Sequence, residues 1–417
     1  MSFKAKVYII VNDYKHLQLD SMMLKKIKLY QDRLAKTIKT TYRRYLFDEI
    51  EFDDKMIAIF GARGVGKTTL LFQYLQALQN QNKKALYISL DYPFLSGVDL
   101  IELVEEFVSN GGEYLLLDEV HRYEEFSSYL KTIYDLFDIR VLFTSSSATS
   151  ILNAKSDLSR RVTLYRLHGF SFREYLELKH TLSLKSYSID EILSNHLKLA
   201  KTVEKLDILK EFGEYLKTGY YPFYFDKQSS YYQNLLNTIN LTIDLDLTSL
   251  GLIEQKYTYK LKKLLEVICQ NKPFEVNYSK IATMAEISRV KLYDYIQYLN
   301  DGEMILLVEE PLSGIKKVQK PAKIYLNNTN LLYAYCNTNE IGTVRETFFA
   351  NQVAYKTSLS ISKVGDFVIN SRYTIEVGGK NKSFEQNKEL KQSFVAADDI
   401  EVGVGNKIPL WLFGFLY

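Results

Sequence analysis

A glycine-rich loop, Gly61-Ala62-Arg63-Gly64-Val65-Gly66-Lys67-Thr68, lies between an apolar run, Met56-Ile57-Ala58-Ile59-Phe60, and a segment of helical spacing that reaches about Leu78. The apolar run reads as a buried parallel strand. Gly61, Gly64 and Gly66 let the chain turn tightly enough to aim several backbone N–H groups at one point. The helix that opens behind the loop presents its positive end to the same point. Lys67 adds a charge suited to β- and γ-phosphates, and the Thr68 hydroxyl is a ligand suited to Mg²⁺. The pattern is that of a site for ATP and Mg²⁺, with Gly61, Arg63, Gly64, Val65, Gly66, Lys67, Thr68 and Thr69 around the phosphates.

The chain after this loop continues strand, helix, strand. Ala85–Leu90, Glu113–Leu117 and Val141–Thr144 are further apolar strands, separated by helical stretches at Asp99–Val108 and Phe126–Leu136. That alternation predicts an α/β parallel sheet with right-handed crossovers. Asp118 and Glu119 end the third strand, on the sheet edge where such folds bind ligands. Asp118 is therefore a second Mg²⁺ ligand and Glu119 the base for the attacking water. His121 and Arg122 read as a surface turn. Thr144 or Ser145, at the tip of the fourth strand, is a candidate γ-phosphate sensor, with a plain helix cap as the alternative. Arg160 and Arg161 are candidates for an arginine finger or a pair of surface arginines. The Asn153–Asp157 run lacks the spacing of a guanine-reading motif, which leaves adenine as the base.

Upstream, Met22–Arg44 has helical spacing with one basic face: Lys25, Lys26, Lys28, Arg33, Lys36, Lys39, Arg43 and Arg44. It reads as an amphipathic helix whose charged face is solvated or contacts phosphates or an acidic partner. Downstream, Ser171 and Glu174 form a capping box that opens a helix through Leu178. Residues Leu182–Leu241 are mostly helical. From about Tyr257 come helices at Leu261–Gln270, Tyr278–Ala285 and Ser288–Leu299, then a hairpin of Met304–Val308 and Lys323–Leu326, the winged-helix order. A last unit carries a helix near Val344–Tyr355, strands at Phe367–Ile369 and Tyr373–Val377, a charged helix near Phe384–Phe394 and an apolar end around Trp411.

Formal net charge is only +3 over 417 residues, so any nucleic-acid contact must be met by a local patch. Val7–Val11 is too short for a signal-peptide core, and no other stretch approaches a membrane helix. Cys269 and Cys336 match no metal spacing and read as free thiols in a reducing compartment, the cytoplasm.

GARGVGKTTLL, YISLDYPF, YLLLDEVHRYEEF, VLFTSSS, SRRVTLYRLHGFSFREYL, GYYPFYF, KIYLNNTNLLYA, GTVRETFFANQV, IEVGGKNKS and IPLWLFGFLY occur in this order between about residue 30 and residue 417. In this order they resemble a large prokaryotic group of AAA-type ATPases, similar to the archaeal ATPases, with a C-terminal domain of unknown function. The resemblance implies an ATPase core, a winged-helix middle and a PD-(D/E)xK nuclease-like α/β domain at the C-terminal end. Such a nuclease holds metal on acids and orients water with a lysine. Asp366 and Glu376, with Glu346 on the preceding helix, match the acids. Gly378 stands where the lysine belongs, and Lys380 is the nearest replacement. That departure makes the site a vestigial one. The segments expected are a basic helical piece at 1–45, the P-loop core at 46–180, a helical connection at 181–245, a winged-helix-like unit at 246–327 and the nuclease-like domain at 328–417. The expected activity is an ATPase whose nucleotide state regulates how the C-terminal units hold a partner, protein or DNA. The alternatives are an ATP-gated nuclease and a nucleotide-bound switch with little turnover.

Overall fold

The computed structural model describes residues 22–123, 125–146, 158, 160–249, 251–270, 277–310, 322–336, 340–382 and 392–417. The Val7–Val11 run, the Asn153–Asp157 run and most of the charged segment at 384–394 fall outside them. The chain divides into two compact units, residues 1–61 with 66–167, and residues 62–65 with 168–417.

The first unit contains β1 (Met56–Phe60), β2 (Ala85–Ser89), β3 (Tyr114–Asp118), β4 (Arg140–Ser145) and β5 (Thr163–Arg166). They form one sheet in the order β2-β3-β4-β1-β5 with every pair parallel. Burial on both faces explains why β1 and β3 are apolar almost without interruption rather than alternating. Helix α1 spans 22–35, followed by α2 (Tyr45–Glu49). The helices α3 (Lys67–Asn80), α4 (Leu100–Ser109) and α5 (Phe126–Leu136) are the crossovers. Asp99 caps α4 by accepting from Ile101 N–H at 2.7 Å. Ile27 of α1 is fully buried in the same core as Ile88, Leu115, Leu117 and Phe143, while Lys25, Lys26, Lys28, Arg33, Lys36, Lys39 and Arg43 are exposed. The amphipathic reading holds over 22–35, but the helix stops there, so Lys36, Lys39 and Arg43 lie beyond it, and Arg44 is buried.

The second unit opens with α6 (Phe172–His180), whose capping box of Ser171 and Glu174 is formed as expected. Then follow α7 (Ile189–Ala200), α8 (Ile208–Glu214) and α9 (Tyr231–Leu241). The last runs without a break into a π-helical turn, Thr242–Asp246. Three helices, α10 (Thr258–Gln270), α11 (Tyr278–Met284) and α12 (Arg289–Asp301), precede the antiparallel pair β6 (Ile305–Val308) and β7 (Lys323–Leu326). Helices α13 (Thr329–Tyr335) and α14 (Ile341–Lys356) lead into a five-stranded sheet of order β12-β11-β10-β9-β8. Its strands are β8 (Leu359–Ile361), β9 (Phe367–Ile369), β10 (Tyr373–Gly378), β11 (Ser393–Ala397) and β12 (Lys407–Pro409). Phe394 lies within β11 and not at the end of a helix, because that segment pairs in parallel register with β10. Phe172, Tyr175, Tyr215, Phe348, Trp411 and Phe415 form one buried aromatic cluster. The Tyr215 hydroxyl donates to the Phe170 carbonyl at 2.6 Å, so the ring is buried without an orphaned polar end.

The expectation of free thiols is wrong. Cys269 on α10 and Cys336, just after α13, are joined in a disulfide with their Cα atoms 5.4 Å apart. Packing of α10 on α13 brings together two cysteines that are 67 residues apart in sequence, a proximity no spacing rule could reveal. The argument for a reducing compartment from two unpaired thiols falls with it. Among the described residues no helix is long and apolar enough to cross a membrane.

Candidate nucleotide site

The loop between β1 and α3 takes backbone angles open mainly to glycine. Gly64 and Gly66 have φ of +86° and +101°, and Gly66 is the N-cap of the 14-residue helix α3. Lys67 is buried, and its Nζ donates to the Gly61 carbonyl at 2.8 Å, curled over its own loop. Thr69 follows in the first turn of α3 and is half-buried.

Asp118 is fully enclosed and collects neutral donors. Thr68 Oγ1 donates to Oδ2 at 2.7 Å and the Tyr87 hydroxyl to the same oxygen at 2.9 Å. Thr144 Oγ1 donates to Oδ1. Burial, and then the charge of Glu119, raise the Asp118 carboxyl above its ordinary range, while the three hydroxyls pull it back. A buried carboxylate with hydroxyl partners alone keeps an uncompensated negative charge, and a divalent cation would relieve it. Thr68 and Asp118 therefore present two hard-oxygen ligands within hydrogen-bond distance of one another, a donor set that fits Mg²⁺.

Thr144 also accepts from the Glu119 N–H at 3.1 Å, so one hydroxyl touches both acids' residues. Of the two sensor candidates, Thr144 is the one attached to this cluster. Glu119 sits at φ +55°, in the left-handed region. Its Oε2 lies 3.4 Å from His121 Nε2 and is hydrogen-bonded to no described residue. An acceptor held in that state is what activation of a water requires.

His121 is not on a surface turn: it is 5% exposed. Its Nδ1 is 3.3 Å from Ser145 Oγ and its Nε2 is 3.1 Å from Ser146 Oγ. The ring belongs to the 3-10 turn Val120–Arg122 and meets the serines at and just after the end of β4, which a linear reading of the sequence could not show. Arg161 makes a two-pronged pair with Asp135, Nε at 2.9 Å and Nη2 at 3.0 Å, and Arg160 is exposed. Arg63 directs its guanidinium to Asp246 at 3.1 Å.

In the second unit, the C-terminal acids are held differently. Asp366 Oδ2 accepts from the Val377 N–H at 2.8 Å, next to Glu376 on β10. Glu376 Oε1 is 2.7 Å from Lys382 Nζ. Glu346 on α14 accepts from the Tyr325 hydroxyl at 2.7 Å and from Lys323 Nζ at 3.2 Å. The lysine at Glu376 is thus Lys382, two residues beyond Lys380, whose carbonyl accepts from Lys407 Nζ at 2.9 Å. Among the described residues no group of three or more acidic, histidine or cysteine side chains is placed to hold a metal ion.

Residues 53–176 match the family model of the AAA domain. This part of the chain is an AAA-type ATPase domain. Residues 209–341 match a domain of unknown function, DUF8612. An uncharacterized protein of Methanocaldococcus jannaschii is 26% identical over 438 residues, covering 96% of this chain and 92% of its own. A second from the same organism is 24% identical over 330 residues, covering 75% and 70%. Among solved structures, AMPPCP-bound DnaA from Aquifex aeolicus is 16% identical, covering 66% of this chain and 88% of its own, with a TM-score of 0.23. The replication initiator DnaA bound to AMPPCP and single-stranded DNA is 15% identical, covering 61% and 85%, with a TM-score of 0.24. Scores this low do not establish a shared overall fold.

Proposed function

We propose that the chain binds Mg²⁺-ATP on the loop Gly61–Thr68 and hydrolyses it. The observation that carries this reading is the Asp118 cluster: a buried carboxylate on hydroxyl donors alone, beside a glutamate whose Oε2 no described residue satisfies. Backbone N–H groups of the loop and Lys67 hold the phosphates. Thr68 and Asp118 hold the metal, which supplies charge neutralisation at the phosphate oxygens. Glu119 takes the proton of the attacking water, and Thr144 keeps Glu119 and Asp118 in register. Arg161 serves structure through Asp135, which leaves exposed Arg160 as the finger candidate. The role of turnover is to set how the second unit holds a partner. The exposed basic face of α1 is the phosphate-contacting surface if that partner is DNA. The helical order of α10 to α12 with the β6–β7 hairpin suits a winged-helix unit.

A second reading, an ATP-gated nuclease, is favoured by one observation: Lys382 provides beside Glu376 the lysine that Gly378 lacks. Against it, Glu346 and Glu376 already have cationic partners. One experiment separates the readings: ATP turnover with and without DNA, with DNA integrity followed in the same tube under Mg²⁺ and Mn²⁺. ATP hydrolysis with intact DNA supports the first. Cleavage that disappears in Asp366→Ala and Glu376→Ala establishes the second. No turnover, together with unchanged nucleotide affinity in Lys67→Ala, overturns the site itself.

A further inference from the structure

Arg63 is the one long charged side chain of the glycine loop ahead of Lys67, and it is committed to a residue 183 positions away. Its Nε lies 3.3 Å from Asp246 Oδ2 and its Nη2 3.1 Å from Asp246 Oδ1, a two-pronged fork. The Asp246 side chain is 1% exposed and the Arg63 side chain 27%. The adjoining residue, Gly64, is seated on aromatic rings. A Cβ built there would come within 2.9 Å of Phe223 Cε1, with Tyr221 Cδ1 at 3.8 Å. Those rings are themselves fixed: Tyr221 is fully buried and accepts from Asn328 at 3.2 Å, and Phe223 packs on Tyr231. Residues 62–65 accordingly belong to the same compact unit as Asp246, Tyr221 and Phe223.

We propose that Asp246 is a positioning residue for nucleotide binding, which holds the arch of the phosphate loop through Arg63 and links occupancy of that loop to the Thr242–Asp246 turn. This rests on the reading of the loop as an ATP site. Two uses of Arg63 compete: a phosphate ligand, or an anchor. Turning the guanidinium toward phosphate would break a two-pronged fork on a carboxylate exposed to only 1%, and removing one partner of a buried pair is strongly destabilising. The anchor wins. A glycine arch has many accessible shapes, and convergence of its N–H groups requires one of them. The planar fork on Asp246 fixes the orientation of the residue just before the sharpest turn. The same turn carries Asp244, whose Oδ2 is 2.7 Å from Lys262 Nζ on α10, so its two carboxylates face opposite duties, one to the loop and one to the helix. By linkage, whatever shifts the turn alters ATP affinity, and ATP alters the turn by the same factor.

The test is titration of the full chain with the nonhydrolysable analogue AMPPNP and Mg²⁺. Asp246→Asn is expected to weaken binding about tenfold, one neutral contact replacing a charge-assisted fork. Arg63→Gln should weaken it by a similar factor, and the double variant by no more than either single one. Rates measured with ATP should show the loss in KM, with kcat within about threefold. Tighter binding in Asp246→Asn would mean that a released Arg63 grips phosphate, and overturns the proposal. Additive losses in the double variant overturn it too. In the wild-type chain, AMPPNP should slow amide exchange across residues 242–249, and unchanged exchange there overturns the link to the turn. That measurement stands even if the variants do not fold. Binding that survives Lys67→Ala would instead sink the ATP reading beneath it.

Discussion

Two groups of carboxylates in this chain differ in what compensates them. In the first unit, Asp118 is buried among the hydroxyls of Thr68, Tyr87 and Thr144. In the second, Glu346 meets Lys323 and Glu376 meets Lys382, while Asp366 leans on a backbone N–H. Hydroxyls stabilise a carboxylate by direction, not by charge, so the first cluster keeps a deficit that the proposed Mg²⁺ would relieve. Lysines cancel the charge outright, and the second group has little left to offer a metal. Acid content is similar in the two places, and the partners decide the chemistry.

The largest expected effect sharpens the first side of this contrast. Glu119→Gln should bind ATP as the wild type does yet turn over ~10²- to 10⁴-fold more slowly, since the amide cannot accept the water's proton. A steady-state assay paired with a nucleotide titration checks it, and wild-type turnover would place the base elsewhere. Next comes the direct comparison. Asp118→Asn removes the charge deficit and should lower Mg²⁺-supported ATP affinity by about tenfold or more, whereas Asp366→Asn should leave it unchanged. Equal effects from the two would erase the contrast between the two groups of acids. His121→Ala is expected to cost about tenfold in kcat, roughly one lost neutral hydrogen bond near Glu119, with KM little altered. Turnover unchanged by that substitution would confine His121 to packing. The smallest effect is that of Lys382→Ala. Its side chain is 44% exposed, so folding stability by denaturant titration should change by less than about 1 kcal/mol. The same variant gives the comparison a second test. With Lys382 gone, Glu376 is uncompensated, and Mn²⁺ binding to the second unit, followed by paramagnetic resonance, should appear or strengthen.

Much of the proposed nucleotide site could be read directly from the chain because its parts are local. Gly61 to Thr68 is one loop between a strand and a helix, and Asp118 with Glu119 ends an apolar strand. Short-range patterns of this kind follow from the strand's apolarity, glycine's freedom and the helix dipole. The Ser171–Glu174 capping box was legible for the same reason. His121 escapes a sequence reading because its burial depends on the serines that β4 brings alongside, from 24 and 25 residues away. The two-residue period of an extended strand leads from Glu376 through Gly378 to Lys380, but β10 ends at Gly378 and it is Lys382 that reaches Glu376. Parity holds only while the chain is extended.

The sequence by itself determined the succession of strands and helices in the AAA domain, the glycine loop after β1 and the two acids that end β3, all set by contacts between near neighbours. Only the tertiary structure decided that Cys269 bonds Cys336, that Asp118 keeps company with hydroxyls and Glu376 with a lysine, and that Arg63 is held by Asp246. These pairings join residues up to 183 positions apart. Their energy comes from desolvation in a packed interior, which no local pattern encodes, because the surroundings that exclude water are assembled from the whole fold.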